Sequence, residues 1–269
     1  MCECHETSAV GLTYYIRIVR SLDFHMTNTA AVPGAPPAPL SLPARFIGII
    51  TAPKETFQAV AAHPRWLGML LVCTILVAVC TALPMTTEAG KEATLRQQVE
   101  GMESFGMTVS DQQYERMRAG MAFAPYTTGG FIVIFSPIIS VVIAGVLFLI
   151  FNVMMGGERT FKQMFAVLIH AGVIQTLGAL FTGPLNYFRG AVTSATNLAV
   201  LLPMVDPKSF VGRVLAMTDL FLIWYLLVLS IGLAVLYRRR TQPIAWTLYG
   251  VYAAGVLVIA AVMSALGGK

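Results

Sequence analysis

The sequence predicts an all-α membrane protein with a bundle of five transmembrane helices, and two observations support this fold class. First, 57% of the 269 residues are hydrophobic and only 12% are charged, whereas a soluble domain is about one quarter charged. One soluble core could not bury so much apolar surface, so a bilayer must accommodate it. Second, five segments without Asp, Glu, Lys or Arg are long enough to span, which takes roughly 17–25 residues. These segments are Trp66–Pro84, Gly130–Met155, Gln163–Leu185, Leu220–Tyr237 and Ile244–Leu266.

All five segments are apolar around their whole circumference, which distinguishes a span from a surface helix. Continuous apolar runs also disfavour a β-barrel, whose strands alternate between apolar and polar residues. A sixth apolar stretch, Ala191–Val205, is too short to span and contains Asn197 and Pro203. We therefore expect it to be interfacial or re-entrant.

The distribution of cations predicts the orientation of the bundle. Seven Lys and Arg residues lie in three short segments, Thr51–Arg65, Gly156–Lys162 and Arg238–Gln242. Another seven lie in two much longer loops, Met85–Gly129 and Asn186–Asp219. Cytoplasmic loops are enriched in Lys and Arg. The sequence thus predicts that the N-terminus is inside and the C-terminus outside.

Two regions are expected: a flexible extension, residues 1–44, and a membrane domain, residues 45–267. The tract Thr27–Pro43 is rich in Ala, Pro and Thr, as flexible linkers often are. Met26 stands directly before it. We therefore expect residues 1–25 to be an over-extended start.

Short amphipathic helices are predicted outside the spans. In Phe46–Ala62, Pro53 suits a first helical position and Phe57 lies on an apolar face. This helix would lie on the inner membrane surface or pack against the bundle. In the first outer loop, Glu92–Phe105 has apolar residues at helical spacing, and Ser110 begins a second helix with a capping-box pattern.

Polar residues in the spans are the candidate binding residues, because polar groups in a bilayer are costly. They are His170 and Gln175 in the third span, Asn152 near the end of the second and Asp219 at the start of the fourth. A proton relay would need several such groups at one depth, and here there is one histidine and no buried carboxylate. Asp219 fits an N-cap. A structural role is favoured for each.

No catalytic, metal or cofactor site is expected. Cys2, Cys4 and His5 would form an incomplete metal site in a frayed terminus. There is no P-loop, Gly-x-Ser-x-Gly elbow or His-Glu-x-x-His motif. Despite the net charge of +5, nucleic acid is not an expected partner, because the cations lie in gaps between apolar segments.

Small residues recur four apart in the spans, a spacing that lets membrane helices approach closely. This spacing leaves open whether the contacts lie within one bundle or between subunits, although the former is the more economical. The pairs are Gly178 and Thr182, Ala179 and Gly183, Gly250 and Ala254, and Ala261 and Ala265.

Four segments resemble the bacterial branch of the Ypt-interacting-protein (YIP) family of five-span membrane proteins. Phe46–Leu70 (FIGIITAPKETFQAVAAHPRWLGML) is similar to the family's Pro, basic residue, Glu-Thr-Phe segment. Met155–Ala166 (MGGERTFKQMFA) is similar to its Gly-Gly turn followed by Thr/Ser-Phe-Lys-Gln. Leu215–Leu233 (LAMTDLFLIWYLLVLSIGL) resembles its Asp-Leu-Phe-x-x-Trp span, and Gly106–Met121 resembles an outer-loop helix.

The resemblance implies the five-helix architecture, with the N-terminus inside and no known enzymatic activity. Eukaryotic members bind Rab-type GTPases, partly through an N-terminal Asp-Leu-x-Gly-Pro-like motif. That motif is absent before the first span, and Thr182–Leu185 is not equivalent because it follows a span. The Rab role is therefore not expected here.

Two functions remain open. The first is a non-enzymatic scaffold or organiser in a bacterial inner membrane, acting through lipid or through membrane or cytosolic proteins, and a homo-oligomer is compatible with it. The second is a small transporter or channel that uses His170, Gln175 and Asn152, with Gly172 and Gly178 interrupting the third span. An intramembrane enzyme ranks third, because paired catalytic groups are missing.

Overall fold

The computed structural model describes residues 38–154, 156–192 and 194–266. In these residues every regular element is a helix, so the predicted all-α class is confirmed. The described residues belong to one compact unit that starts at Ala38. Residues 1–37, which include Cys2, Cys4, His5 and most of the expected extension, lie outside the described part.

Five segments are long and apolar enough to cross a membrane, as predicted. They are Leu67–Thr86, Asp111–Val153, Phe161–Arg189, Leu220–Tyr237 and Thr241–Leu266. The second is longer than the sequence indicates, because a helix of the loop that follows the first span continues into the second span through one short 3₁₀ turn. The third consists of two helices that meet at Gly172.

The α-helices are numbered in chain order. They are α1 (Leu42–Thr51), α2 (Pro53–Ala62), α3 (Leu67–Ala82), α4 (Glu88–Ser104), α5 (Asp111–Gly120), α6 (Ala124–Phe148), α7 (Phe161–Ala171), α8 (Val173–Arg189), α9 (Phe210–Met217), α10 (Leu220–Tyr237) and α11 (Thr241–Leu266). The 3₁₀ helices are Leu83–Thr86, Met121–Phe123 and Leu198–Leu201, and a π-helical turn at Leu149–Met154 extends α6.

The N-terminal flank forms two helices rather than the single predicted one. Ala52 has an extended φ of −144°, which ends α1, and Pro53 then begins α2 at the predicted position. The Ser41 side chain accepts a hydrogen bond from the Ala44 N–H and so caps α1. Phe57 is fully buried against the bundle, so α2 takes the packed arrangement rather than an exposed position on a membrane surface.

The stretch Ala191–Val205 contains a single 3₁₀ turn in the part that the structure describes. Met204 is 93% exposed and Leu201 is 65% exposed, so this stretch does not re-enter the bundle. It leads instead to α9, a helix that the sequence pattern did not indicate.

The core of the bundle is centred on α7. All residues from Met164 to Ala171 are buried, because α2, α3, α6 and α10 surround this helix. The outermost spans, by contrast, expose most of their apolar surface: only 11% of the apolar window is buried in the second span and in the fifth. This exposed apolar surface is what a lipid-facing helix requires.

Candidate functional site

Three of the family-like segments meet at one point in the core, which we name the motif junction. It comprises Phe57, Ala61, Gln163, Val167 and Gly232. A Cβ added at Gly232 would lie 2.6 Å from Val167 Cγ1 and 3.0 Å from the Phe57 ring, so any larger residue would force these buried side chains to move. The Gln163 Nε2 atom donates a hydrogen bond to the Ala61 carbonyl oxygen at 3.0 Å. The three segments thus hold α2, α7 and α10 together.

The start of α7 is fixed by a capping box. The Thr160 Oγ1 atom accepts from the Gln163 N–H at 3.3 Å, and Gln163 Oε1 accepts from the Thr160 N–H at 3.1 Å. The same Gln163 side chain therefore caps α7 and, through Ala61, anchors α2 to it. This arrangement gives a physical reason for the Thr-Phe-Lys-Gln pattern.

The Gly-Gly turn before α7 depends on contacts with the end of α10. Gly156 has a left-handed φ of 66°, and a Cβ at Gly157 would lie 2.5 Å from the Tyr237 ring. Asn152 Nδ2 donates to the Arg159 carbonyl at 2.6 Å, while the Tyr237 hydroxyl donates to Asn152 Oδ1 at 2.6 Å. Asn152 therefore holds the turn in place.

His170 is fully buried and contacts a cation from outside the span. Its Nδ1–H donates to the Ala166 carbonyl at 2.7 Å, and Arg45 Nη1 lies 3.1 Å from its Nε2. Because a guanidinium can only donate, His170 Nε2 must be the acceptor and the imidazole is neutral. Arg45 also donates to the Arg65 carbonyl.

Arg45 was not identified from the sequence, which places it at the edge of the expected extension. It is 8% exposed, and burial, followed by the nearby charge of Arg65, lowers its pKa. The sequence signal for the start of α1 is the pair Ser41 and Pro43. Ser41 caps this helix, and Pro43 lies in its first turn.

Asp219 caps α10, as the sequence predicts. Its Oδ1 accepts from the Phe221 N–H at 2.8 Å, and its Oδ2 accepts from the Ser194 hydroxyl at 2.7 Å and the Thr196 hydroxyl at 2.5 Å. Burial raises the pKa of Asp219, but the hydrogen bonds from Thr196, Ser194, Phe221 and Leu222 outweigh it and lower the pKa. The carboxylate thus fastens the preceding loop to α10.

We expect the stability contributed by Asp219 to be lost in acid. A lowered pKa in the folded state means that this contribution is present above the ordinary aspartate pKa of about 4 and disappears as the pH falls below it. Thermal unfolding of the wild type and Asp219→Ala in detergent should differ most at pH 7 and converge towards pH 3. Ser194→Ala/Thr196→Ala should reduce the pH dependence, and a difference that is constant with pH would contradict this assignment.

The structure places the four candidate residues in separate hydrogen-bond environments within the part of the chain that it describes. Within the described residues, no hydrogen bond joins any two of His170, Gln175, Asn152 and Asp219. His170, Asn152 and Asp219 each form hydrogen bonds with their own neighbours. Gln175 is half-buried in α8. His170, Asn152 and Asp219 are thus held by three separate sets of hydrogen bonds.

A basic cleft of about 780 Å³ opens beside the motif junction, between α2 and the end of α10. Small and aliphatic side chains of α2 and α10 form one wall of this basic cleft. Its cationic lining comprises Lys54, Arg159, Arg238, Arg239 and Arg240. The sequence indicated these cations only as determinants of topology, since their proximity depends on how the helices pack.

Comparison with known proteins relates this arrangement to one family. A sequence profile described as the Yip1 domain matches residues 47–264, from α1 almost to the end of α11. "Membrane protein YknW" of Bacillus subtilis (strain 168) is 26% identical over 195 residues, which cover 70% of this chain and 76% of that protein. No solved structure matches the chain significantly.

Proposed function

The chain belongs to the Yip1 family, and on this premise we propose that it is a non-enzymatic organiser of a bacterial inner membrane. It acts by binding protein or lipid partners rather than by moving a solute or converting a substrate. Its N-terminus is cytoplasmic and its C-terminus is outside. The concentration of cations at the end of the bundle that carries Arg159 and Arg238 supports this orientation.

One observation gives the main support: the polar side chains of the spans make separate structural hydrogen bonds. His170 bonds to Arg45 and Ala166, whereas Asn152 bonds to Tyr237 and the Arg159 carbonyl. A conduction path needs several polar groups facing one cavity. Because His170 and Asn152 are already hydrogen-bonded within the bundle, a structural role is favoured over conduction for both.

Exposed apolar side chains outside the spans also fit a protein that acts through partners. At the end of α4, Phe105 is 45% exposed and Met107 is 49% exposed. Contiguous exposed apolar surface is typical of interaction sites. The α4–α5 region therefore offers contact surface for a protein or for the membrane itself.

A transporter remains the second candidate, and one feature of the third span favours it. Gly172 separates α7 from α8, two residues after His170 and its contact with Arg45. Helix interruptions beside charged groups occur at the binding sites of transporters. Here the backbone bonds from Gly172 to Leu168 and from Thr176 to Gly172 are kept, so the interruption is small.

Photo-crosslinking in native membranes tests the proposed function. A photoreactive amino acid replaces Met107 in the outer loop or Gln242 at the opposite end of the bundle. Val258, which is 62% exposed in the second half of α11, serves as the lipid-facing control. We expect discrete protein adducts from at least one of the first two positions and none from position 258, with the partner identified by mass spectrometry.

A solute-flux measurement in reconstituted vesicles could contradict the proposed function. A solute flux that is present in the wild type and absent in His170→Ala, at equal protein content, would show transport and exclude a purely organising role. Absence of discrete protein adducts at positions 107 and 242 would contradict the protein-binding part of the proposal.

A further inference from the structure

We propose that the basic cleft binds the phosphate-containing headgroup of an anionic phospholipid. The inference deepens the proposed function and rests on it, because it names a lipid class as one of the partners. It is drawn from the charge, the backbone support and the apolar wall of the basic cleft.

The cations of the basic cleft have no carboxylate partners in the described part of the chain. The ion pairs found there all lie in the outer loop, on α4 and α5, for example Lys91 with Glu88. Two acidic side chains adjoin these cations in sequence. Glu55 follows Lys54 and is exposed, and it does not line the basic cleft. Glu158 precedes Arg159 and lines an adjoining cleft that also includes Arg238 and Arg239. Uncompensated guanidinium groups around a cavity favour an anionic ligand, and arginine is suited to phosphate.

The backbone that presents these cations is fixed by hydrogen bonds. The Arg159 carbonyl is held by Asn152 Nδ2. Arg238 adopts a left-handed φ of 53° to end α10, and the Arg239 N–H closes the turn on the Ala234 carbonyl at 2.9 Å. Less conformational freedom is therefore lost when a ligand binds to this end of α10 and to the turn before α7.

The apolar wall distinguishes a lipid from a small soluble anion. One face of α2 lines the cleft with Lys54, Gln58, Ala61 and Ala62. The charged side chain lies at the start of this helix, and the two small apolar side chains lie at its end. The basic cleft also borders the start of α11, where the fifth span begins. A phospholipid can contact the cations with its phosphate and the apolar wall with its acyl chains, whereas inorganic phosphate can contact only the cations. Basic pockets between spans are known to bind lipid headgroups.

The simpler explanation is that these cations only set the topology. Arg65 and Lys162 provide the matched comparison, because both are exposed and belong to the same predicted cytoplasmic flanks but do not line the basic cleft. If topology were the only role, removing these two charges should affect lipid binding as much as removing two from the cleft.

Native mass spectrometry of the full-length protein tests the site, with phosphatidylglycerol and phosphatidylcholine of equal chain length as probes. We expect the wild type to bind phosphatidylglycerol about tenfold more tightly, and Arg159→Gln/Arg239→Gln to weaken that binding roughly 10- to 30-fold. Arg65→Gln/Lys162→Gln should change it less than about twofold. Ala62→Trp, which fills the cleft without altering charge, should also weaken binding and provides a second variant if the double variant does not fold.

Three results would overturn the lipid site. They are equal losses in the two double variants, no preference for phosphatidylglycerol, and displacement of the lipid by millimolar inorganic phosphate, which would indicate a soluble-anion site. The proposed function fails separately. Lipid selectivity together with His170-dependent flux would support the lipid site but refute the organising role. Protein adducts without lipid selectivity would refute only the lipid site.

Discussion

Replacing Gly183 with alanine is expected to destabilise the bundle by about 1–3 kcal/mol, the usual effect of overpacking. A Cβ at position 183 would lie 2.6 Å from the Cys80 carbonyl oxygen and 2.8 Å from the Cys80 Cβ. The obstacle is mainly backbone of α3, which cannot rotate away as a flexible side chain can. The helices α3 and α8 would have to separate, with loss of packing along their contact.

Gly250→Ala is the matched control, because nothing lies within 4 Å of a Cβ added at that position. It should leave stability unchanged or raise it by up to about 1 kcal/mol through better helix propensity. Unfolding by sodium dodecyl sulfate in mixed micelles compares the two variants directly. Equal midpoints for Gly183→Ala and Gly250→Ala would show that the close approach of α3 and α8 is not required.

The small-residue pairs illustrate what the sequence could and could not predict. Their spacing correctly indicates close helix packing for Gly178, where an added Cβ would meet the Phe221 ring at 2.9 Å, and for Gly183. The same spacing at Gly250 faces open space. A spacing of four defines a face of a helix, but the partner of that face depends on the arrangement of the whole bundle.

The spans themselves were predictable because length and apolarity are local properties of the chain. The start of α1 was not, since the Ala- and Pro-rich composition before Phe46 resembles a linker. The basic cleft was missed for a similar reason. Arg159 and Arg238 are 79 positions apart in the chain. They line one cleft because the Gly156-Gly157 turn packs against Tyr237 at the end of α10.

Replacing Arg45 with methionine is expected to destabilise the protein by about 2–4 kcal/mol, because two acceptors lose their donor at once. These are the Nε2 atom of fully buried His170 and the Arg65 carbonyl oxygen. Arg65→Met is the matched control. It removes an equal charge from the exposed side chain nearby but keeps the backbone carbonyl, so we expect a change within about 0.5 kcal/mol. Both are measured by the same detergent unfolding.

A double replacement then separates a structural role of the Arg45–His170 pair from a functional one. If the pair serves only to satisfy buried polar groups, Arg45→Met/His170→Leu should recover part of the stability lost in Arg45→Met, since removing both partners leaves no orphaned acceptor on the ring. If the pair lies on a solute path, the double variant should be stable and yet lack flux in vesicles. Recovery of stability with unchanged crosslinking from positions 107 and 242 would place the pair in the framework, which is where an organiser without a conduction path needs it.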